Sequence, residues 1–199
     1  MTPRIPLVLC LTTALSASAC GATSMSTPEY KRNPAPRERY EITVTVADAP
    51  GAFEDVEGVM HFEVGDDSCV PKDPVSGVRV NPTQRVPFLL SRIDGDTYRG
   101  VIHTDLMQDE DYHGLGLCKW SLDAVQAMFK HGQTSFHATA PLERIEREQA
   151  VTATYWSGDY FQTSLPGYAA LGKPDGTHYR RDIQDELFTI TIQARKAQE

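Results

Sequence analysis

The feature that most constrains the fold of this sequence is a strict alternation of apolar and polar residues in two segments of the region 40–199. In YEITVTVA (40–47) and in ELFTITIQA (186–194), every second side chain is apolar or aromatic. Successive side chains of a β-strand point to opposite faces, so each segment predicts a strand with one buried face. The side chains expected to face a core are Tyr40, Ile42, Val44, Val46, Phe188, Ile190, Ile192 and Ala194.

Several shorter strand patterns lie between these two segments. Residues 86–104 predict a hairpin that turns at Asp94-Gly95, and Pro87, which cannot donate a hydrogen bond, favours an edge position or a strand start. ERIEREQ (143–149) predicts one or two helical turns. The other predicted strands are VMHFEV (59–64), TSFHATA (134–140) and VTATYW (151–156).

The stretch LCKWSLDAVQAMFKHG (117–132) allows two interpretations. Cys118, Trp120 and Leu122 alternate with polar residues. The apolar residues that follow are out of phase with these three, as expected if one extra residue near Asp123 forms a β-bulge. An amphipathic helix also fits the spacing of the later residues. We favour the bulged strand, because a second strand pattern follows directly after His131.

The first 39 residues have the layout of an export signal followed by a linker. Residues 1–19 combine a basic residue, a short apolar run and small residues, which predicts a signal peptide. Ala17-Ser18-Ala19-Cys20 is similar to the lipobox of bacterial lipoproteins, in which the cysteine receives a lipid. The alternative is an ordinary cleaved signal with Cys20 as a spare thiol. Proline-rich residues 20–39 have few large apolar side chains, which predicts a lipidated cysteine on a flexible tether.

The remaining cysteines indicate a disulfide. Cys10 lies in the predicted signal and Cys20 carries the predicted lipid, which leaves Cys69 and Cys118. Two cysteines in an exported domain predict one disulfide, since the periplasm is oxidising, and their spacing matches no zinc pattern. We therefore predict a mainly β fold over residues 40–199: a two-sheet antiparallel β-sandwich with one disulfide and long loops.

The charge balance limits the partners to be expected. The chain carries 19 Lys and Arg against 27 Asp and Glu, a formal net charge of −8, and loss of residues 1–19 leaves 18 against 27, or −9. An acidic surface repels nucleic acid and anionic lipid head groups and favours a basic partner.

A search for catalytic motifs finds little. The sequence has no GxSxG, no HExxH, no glycine-rich phosphate loop and no closely spaced histidine pair, and its six histidines are dispersed. Ser157 with a distant histidine and aspartate is the one triad that could be nominated. We therefore predict that the protein is not an enzyme and has no cofactor, with a periplasmic hydrolase as an alternative.

Two loops are candidates for function. The loop DLMQDEDYHG (105–114) places Asp105, Asp109, Glu110 and Asp111 close together, which suggests a contact for a basic partner, a Ca²⁺ site, or a solvated acidic loop. Residues 155–182 are rich in aromatic side chains among glycines and prolines. Such a loop suits protein contact, and equally a return of its aromatics to the core. The aromatic candidates for partner binding are Tyr155, Trp156, Tyr160 and Phe161.

Taken together, the ASAC sequence, the proline-rich tether and the segment YRGVIHTDL…GLCKWSLDAVQAMF resemble small lipoproteins of Gram-negative bacteria. The lipoproteins meant are those that act as immunity proteins against antibacterial toxins delivered by type IV or type VI secretion. The resemblance implies a periplasmic inhibitor whose partner is a cognate toxin, encoded next to it, and whose only membrane contact is the lipid anchor. Gly21 after the cysteine implies sorting to the outer membrane.

Two other expectations remain open. One is a structural or assembly lipoprotein of the cell envelope. The other comes from periplasmic lysozyme inhibitors, which insert an SGxxY loop into the enzyme. The stretch Ser157-Gly158-Asp159-Tyr160-Phe161 is similar to that loop, but phenylalanine occupies the position of the final tyrosine and so removes its hydroxyl.

Overall fold

The computed structural model describes residues 28–162 and 165–197, so the predicted signal peptide and Cys20 lie outside the described residues. Within these ranges the chain forms ten strands and two short α-helices. None of the helices in the described part is long and apolar enough to span a bilayer. The strands are β1 (Arg39–Ala47), β2 (Asp55–Val64), β3 (Thr83–Phe88), β4 (Ser91–Asp94), β5 (Thr97–His103), β6 (Trp120–His131), β7 (Thr134–Pro141), β8 (Val151–Trp156), β9 (Tyr168–Leu171) and β10 (Leu187–Lys196). The helices are α1 (Leu142–Glu146) and α2 (Ser157–Tyr160).

The strands form two five-stranded sheets around one main hydrophobic core, which confirms the predicted two-sheet sandwich. Their orders are β4-β5-β1-β10-β8 and β3-β2-β6-β7-β9. The expectation of purely antiparallel pairing needs one correction, because β9 runs parallel to β7. Parallel neighbours need a crossover connection, and the chain provides one by passing through β8 of the other sheet.

The two alternating segments form the centre of the first sheet. β1 pairs with β10 in the register that places Val44 opposite Ile192 and Ile42 opposite Ala194. All eight side chains predicted to face the core are buried. Burial of a single Ile or Phe side chain contributes about 1.5–3 kcal/mol, so these faces account for much of the attraction between the sheets.

The stretch 117–132 forms the bulged strand that the sequence favoured. Leu122 of β6 lies opposite Phe62 of β2 and Ala124 lies opposite His61, so Asp123 is the extra residue. The bulge changes the phase of the strand. Leu122 before it and Val125 after it therefore both point into the core.

The predicted hairpin over residues 86–104 is only partly correct. β4 and β5 form the hairpin, and Gly95 in its turn has a φ of +41°. β3, however, pairs with β2 in the other sheet, so the chain changes sheets at Leu89 and Leu90. Pro87 does lie on an edge strand, as its missing donor predicts.

The predicted disulfide between Cys69 and Cys118 is present, with an S–S distance of 2.02 Å. It lies in a small second core with Val64 and Val70, against which Tyr112 and Trp120 also pack. The disulfide therefore joins the loop after β2 to the segment that leads into β6.

The tether predicted over residues 20–39 does not extend to residue 39, because residues 30–38 pack on the domain. The Tyr30 ring lies 5.0 Å from both the Tyr112 and Trp120 rings, measured between centroids. Arg32 forms an isolated β-bridge with Met107, and β1 already begins at Arg39. We call residues 30–38 the strap. Its contacts with the loop 105–112 are long-range, and local composition does not reveal them.

Candidate functional site

The strands place the two candidate loops at opposite ends of the sandwich. β6 runs from Trp120, beside the disulfide, to His131, beside α2. At about 3.3 Å per residue, its 12 residues separate these ends by roughly 35 Å. We call the part with the disulfide, the strap and the loops 65–82 and 104–119 the disulfide end. The part with Glu54, His131, Asp159, Tyr160 and Phe161 is the aromatic end.

The carboxylates of the acidic loop, at the disulfide end, are engaged within the protein. Asp105 accepts hydrogen bonds from the backbone N–H groups of Arg37 and Glu38, at 2.8 and 3.1 Å. Asp109 accepts one from the backbone of Trp120 at 2.8 Å. Both side chains thus fix backbone of the strap and of β6.

The other two carboxylates of this loop, those of Glu110 and Asp111, contact a lysine of the strap and the loop's own backbone. Glu110 forms an ion pair with Lys31 of the strap at 2.7 Å. Asp111 accepts hydrogen bonds from the backbone of His113 and Leu115. Desolvation raises the pKa of Asp111, but several backbone hydrogen bonds together outweigh it and lower the pKa below its usual value.

The four acidic side chains therefore do not converge on one point. Within the described residues, no group of three or more His, Cys, Asp or Glu is arranged to hold a metal ion. The geometry gives no support for the Ca²⁺ site suggested by the sequence, since each carboxylate is oriented by its own partner. Their shared effect is to hold the strap and the loop against the sandwich.

Two of the four aromatic candidates for partner contact are core residues. Tyr155 is 1% exposed and packs against Phe136 and Phe188, and its burial raises the pKa of its hydroxyl. Tyr160 is 5% exposed. Both are therefore corrected from contact residues to core residues. Tyr155 lies on the inward face of β8, and Tyr160 is buried because α2 turns back over the open end of the sandwich.

Trp156 and the SGxxY-like stretch are also built into the fold. The indole N–H of Trp156 donates to Glu186 at 3.0 Å. A Cβ at Gly158 would lie 2.3 Å from the same indole ring, so only glycine fits there without displacement. Residues Ser157–Tyr160 form α2 with a buried Tyr160, so they do not project as a loop.

Phe161 is the aromatic candidate that remains available to a partner. It is 67% exposed, and it is the one exposed residue among the seven phenylalanines, all of which lie in the described part of the chain. Its ring meets Tyr160 edge-on at 5.3 Å. Tyr160 in turn stacks on His131 at 3.8 Å and donates its hydroxyl hydrogen to the carbonyl of Ala52. Phe161 thus projects from a fixed aromatic platform.

Two acidic residues, Glu54 and Asp159, belong to the same end of the sandwich as this exposed ring. The Glu54 carboxylate accepts from the backbone N–H of Gly132 at 3.2 Å and lies 3.7 Å from Nδ1 of His131. Asp159, two residues before Phe161, is half-buried, and desolvation raises its pKa. Burial raises the pKa of the Tyr160 hydroxyl, and the Glu54 charge adds to that shift.

Sequence reasoning did not identify Glu54 and His131 as parts of this site. They are 77 positions apart, and they meet because Glu54 precedes β2, whose first residue pairs with Lys130 at the end of β6. A correct prediction that β2 pairs with β6 would have placed the two residues together. Neither residue belongs to a motif that the sequence alone reveals.

The histidines show one serine contact, and it is not the one nominated from sequence. In the described residues, which include all six histidines, no hydrogen bond joins Ser157 to a histidine. Instead Ser135 Oγ lies 2.8 Å from Nε2 of His137, on the outer face of β7. Burial, and the nearby Arg85 charge, lower the pKa of His137.

The fold and the site together define a β-sandwich domain with one disulfide, a packed N-terminal strap and an exposed phenylalanine on an aromatic platform. No family model matches the chain, and no curated protein or solved structure matches it.

Proposed function

We propose that this protein is a membrane-tethered periplasmic inhibitor that binds and neutralises a secreted antibacterial toxin. The tether and the compartment rest on residues 1–20 of the sequence. The observation that carries the binding role is Phe161, which is 67% exposed on the Tyr160–His131 platform.

The surroundings of Phe161 support this role on energetic grounds. Most of the binding energy of a protein interface comes from a few anchors, which are often aromatic. An anchor that is already fixed loses little conformational entropy on binding, and Phe161 rests on a ring that is itself held from two sides. The acidic Glu54 and Asp159 at the same end of the sandwich would accelerate capture of a basic toxin surface.

The test is the binding affinity for the protein encoded by the neighbouring gene. We expect nanomolar binding by the wild type. Replacement of a central anchor costs about 2 kcal/mol or more, so Phe161→Ala should weaken binding about 30-fold or more. Leu89→Ala is the matched control and should bind like the wild type. Leu89 is an exposed apolar residue between β3 and β4, where its carbonyl approaches Gly100 of β5, and it is not part of the aromatic end.

Two results would contradict the proposal. One is the absence of any nanomolar partner that is toxic in the periplasm. The other is a tight complex that Phe161→Ala and Leu89→Ala weaken to the same small extent. A deletion strain that shows envelope defects in pure culture would instead favour the alternative of an envelope assembly factor.

A further inference from the structure

The disulfide end carries a second unusual surface, made of aliphatic side chains that point into solvent. Val75, on the loop 65–82, is 95% exposed. Two more aliphatic residues on that loop and two on the loop 104–119 are also exposed. Isolated apolar residues on a surface are ordinary, but several on adjoining loops indicate an interaction site. These five residues, which we call the aliphatic tips, are Val75, Val78, Val80, Leu115 and Leu117.

The loop that bears three of the tips has a defined shape. The Asp73 carboxylate accepts hydrogen bonds from the backbone N–H groups of Val75 and Ser76, at 3.0 and 2.7 Å. The backbone N–H of Asp73 donates to the carbonyl of Val78 at 2.8 Å, and Gly77 adopts the positive φ that this turn needs. Val75 is therefore held at the apex of a closed turn.

The disulfide joins the two loops that carry the tips. Cys69 is two residues before Pro71, where the valine-bearing loop begins, and Cys118 directly follows Leu117. Both cysteines are buried with Tyr112 and Trp120 beneath them. The aliphatic tips thus extend from one rigid base.

The N-terminal chain leaves the domain at this same base. Tyr30 contacts the rings of Tyr112 and Trp120, and the backbone N–H of Lys31 donates to the Tyr112 hydroxyl at 3.2 Å. Only eight positions separate Cys20 from Pro28, and a chain of that length reaches at most about 29 Å. A lipid on Cys20 would therefore keep the disulfide end, and not the aromatic end, beside the bilayer.

We propose that the aliphatic tips are a second membrane contact, which inserts into the bilayer interface and directs the aromatic end away from the membrane. This inference rests on the lipid tether of the proposed function. Charged residues of both signs occur on the same loops, where Arg79 pairs with Asp67 and the sequence also places Lys72, Lys119, Asp66 and Asp73. The contact is accordingly apolar, and it should depend little on salt or on the charge of the lipid.

The experiment uses the lipidated full-length protein reconstituted in vesicles of phosphatidylethanolamine and phosphatidylglycerol that contain a brominated lipid, which quenches nearby tryptophan. Val75→Trp places a probe at the apex of the turn. Phe161→Trp places a matched probe at the aromatic end. The wild-type signal from Trp120 and Trp156 is subtracted from both.

We expect the brominated lipid to quench at least twofold more of the added emission in Val75→Trp than in Phe161→Trp. The difference should persist at high salt and in vesicles without phosphatidylglycerol. Equal quenching of the two probes in membrane-bound protein would overturn the second contact and leave the tether intact. Mass spectrometry of the purified protein tests the tether itself. If it finds no lipid on Cys20 and the protein does not bind vesicles, both the tether and the membrane contact are wrong.

A protein partner at the same tips is the competing outcome. Val75→Asp would then weaken binding to the protein encoded by the neighbouring gene, and Val75→Trp would show no excess quenching. In that case the tips are a protein contact, and the membrane contact is wrong.

Discussion

Removal of the disulfide should destabilise the domain by an amount that follows from the length of the loop it closes. Cys69 and Cys118 are 49 positions apart. In the chain-entropy description, a disulfide stabilises a protein by restricting its unfolded chain. Removal of one that closes a loop of about 50 residues lowers the free energy of unfolding by about 4 kcal/mol. Both cysteines are buried, so a small cavity adds to the loss in the double variant Cys69→Ala/Cys118→Ala.

Urea and thermal unfolding of the double variant measure this loss. A domain of this size loses about 2–4 °C of melting temperature per kcal/mol, so we expect a decrease of about 8–16 °C. A reductant should destabilise the wild type by a similar amount and leave the double variant unchanged. A loss below about 1 kcal/mol would contradict this expectation, since it would mean that the unfolded chain already keeps the two cysteines close together and gains little freedom without the disulfide.

Three further predictions concern local structure. Gly158→Ala should cost about 1–3 kcal/mol in chemical unfolding, because its Cβ would lie 2.3 Å from an indole ring, whereas Gly65→Ala, with no atom within 4 Å, should cost under about 0.5 kcal/mol. Backbone and side-chain hydrogen bonds from Ser76 lower the pKa of Asp73. The ionised Asp73 therefore stabilises the fold fully above its unfolded pKa of about 4, and this contribution is lost as the pH falls. Asp73→Asn should flatten the acid side of a plot of melting temperature against pH, and an unchanged acid side would contradict this. Deletion of Asp123 should abolish soluble folded protein, because the two halves of β6 could no longer both face the core, whereas Asp123→Asn should unfold cooperatively like the wild type.

Much of the fold could be predicted because its signals are local. The alternation in β1 and β10, the phase change at Asp123 and the count of usable cysteines each lie within one short segment or one simple inventory. The strap could not be predicted in this way. Its composition is that of a linker, and the contacts that order it, such as those with Asp105, Tyr112 and Trp120, are long-range.

The candidate site was less predictable for a related reason. Residues 155–161 contain four aromatic side chains, and sequence alone does not determine which of them the fold buries. The return of α2 over the open end of the sandwich buries Tyr160 and leaves Phe161 exposed. In the same way, the acidic loop looked like a cation site because of its composition, but its carboxylates bind backbone groups of the strap and of β6.

In the proposed function, the aromatic end of the sandwich contacts the toxin and the disulfide end does not. Hydrogen–deuterium exchange of the protein with and without the product of the neighbouring gene tests it most directly. We expect slower exchange on binding at residues 51–54 and 157–162, and no change at residues 71–80 and 105–118. Protection confined to residues 71–80 and 105–118 would contradict it.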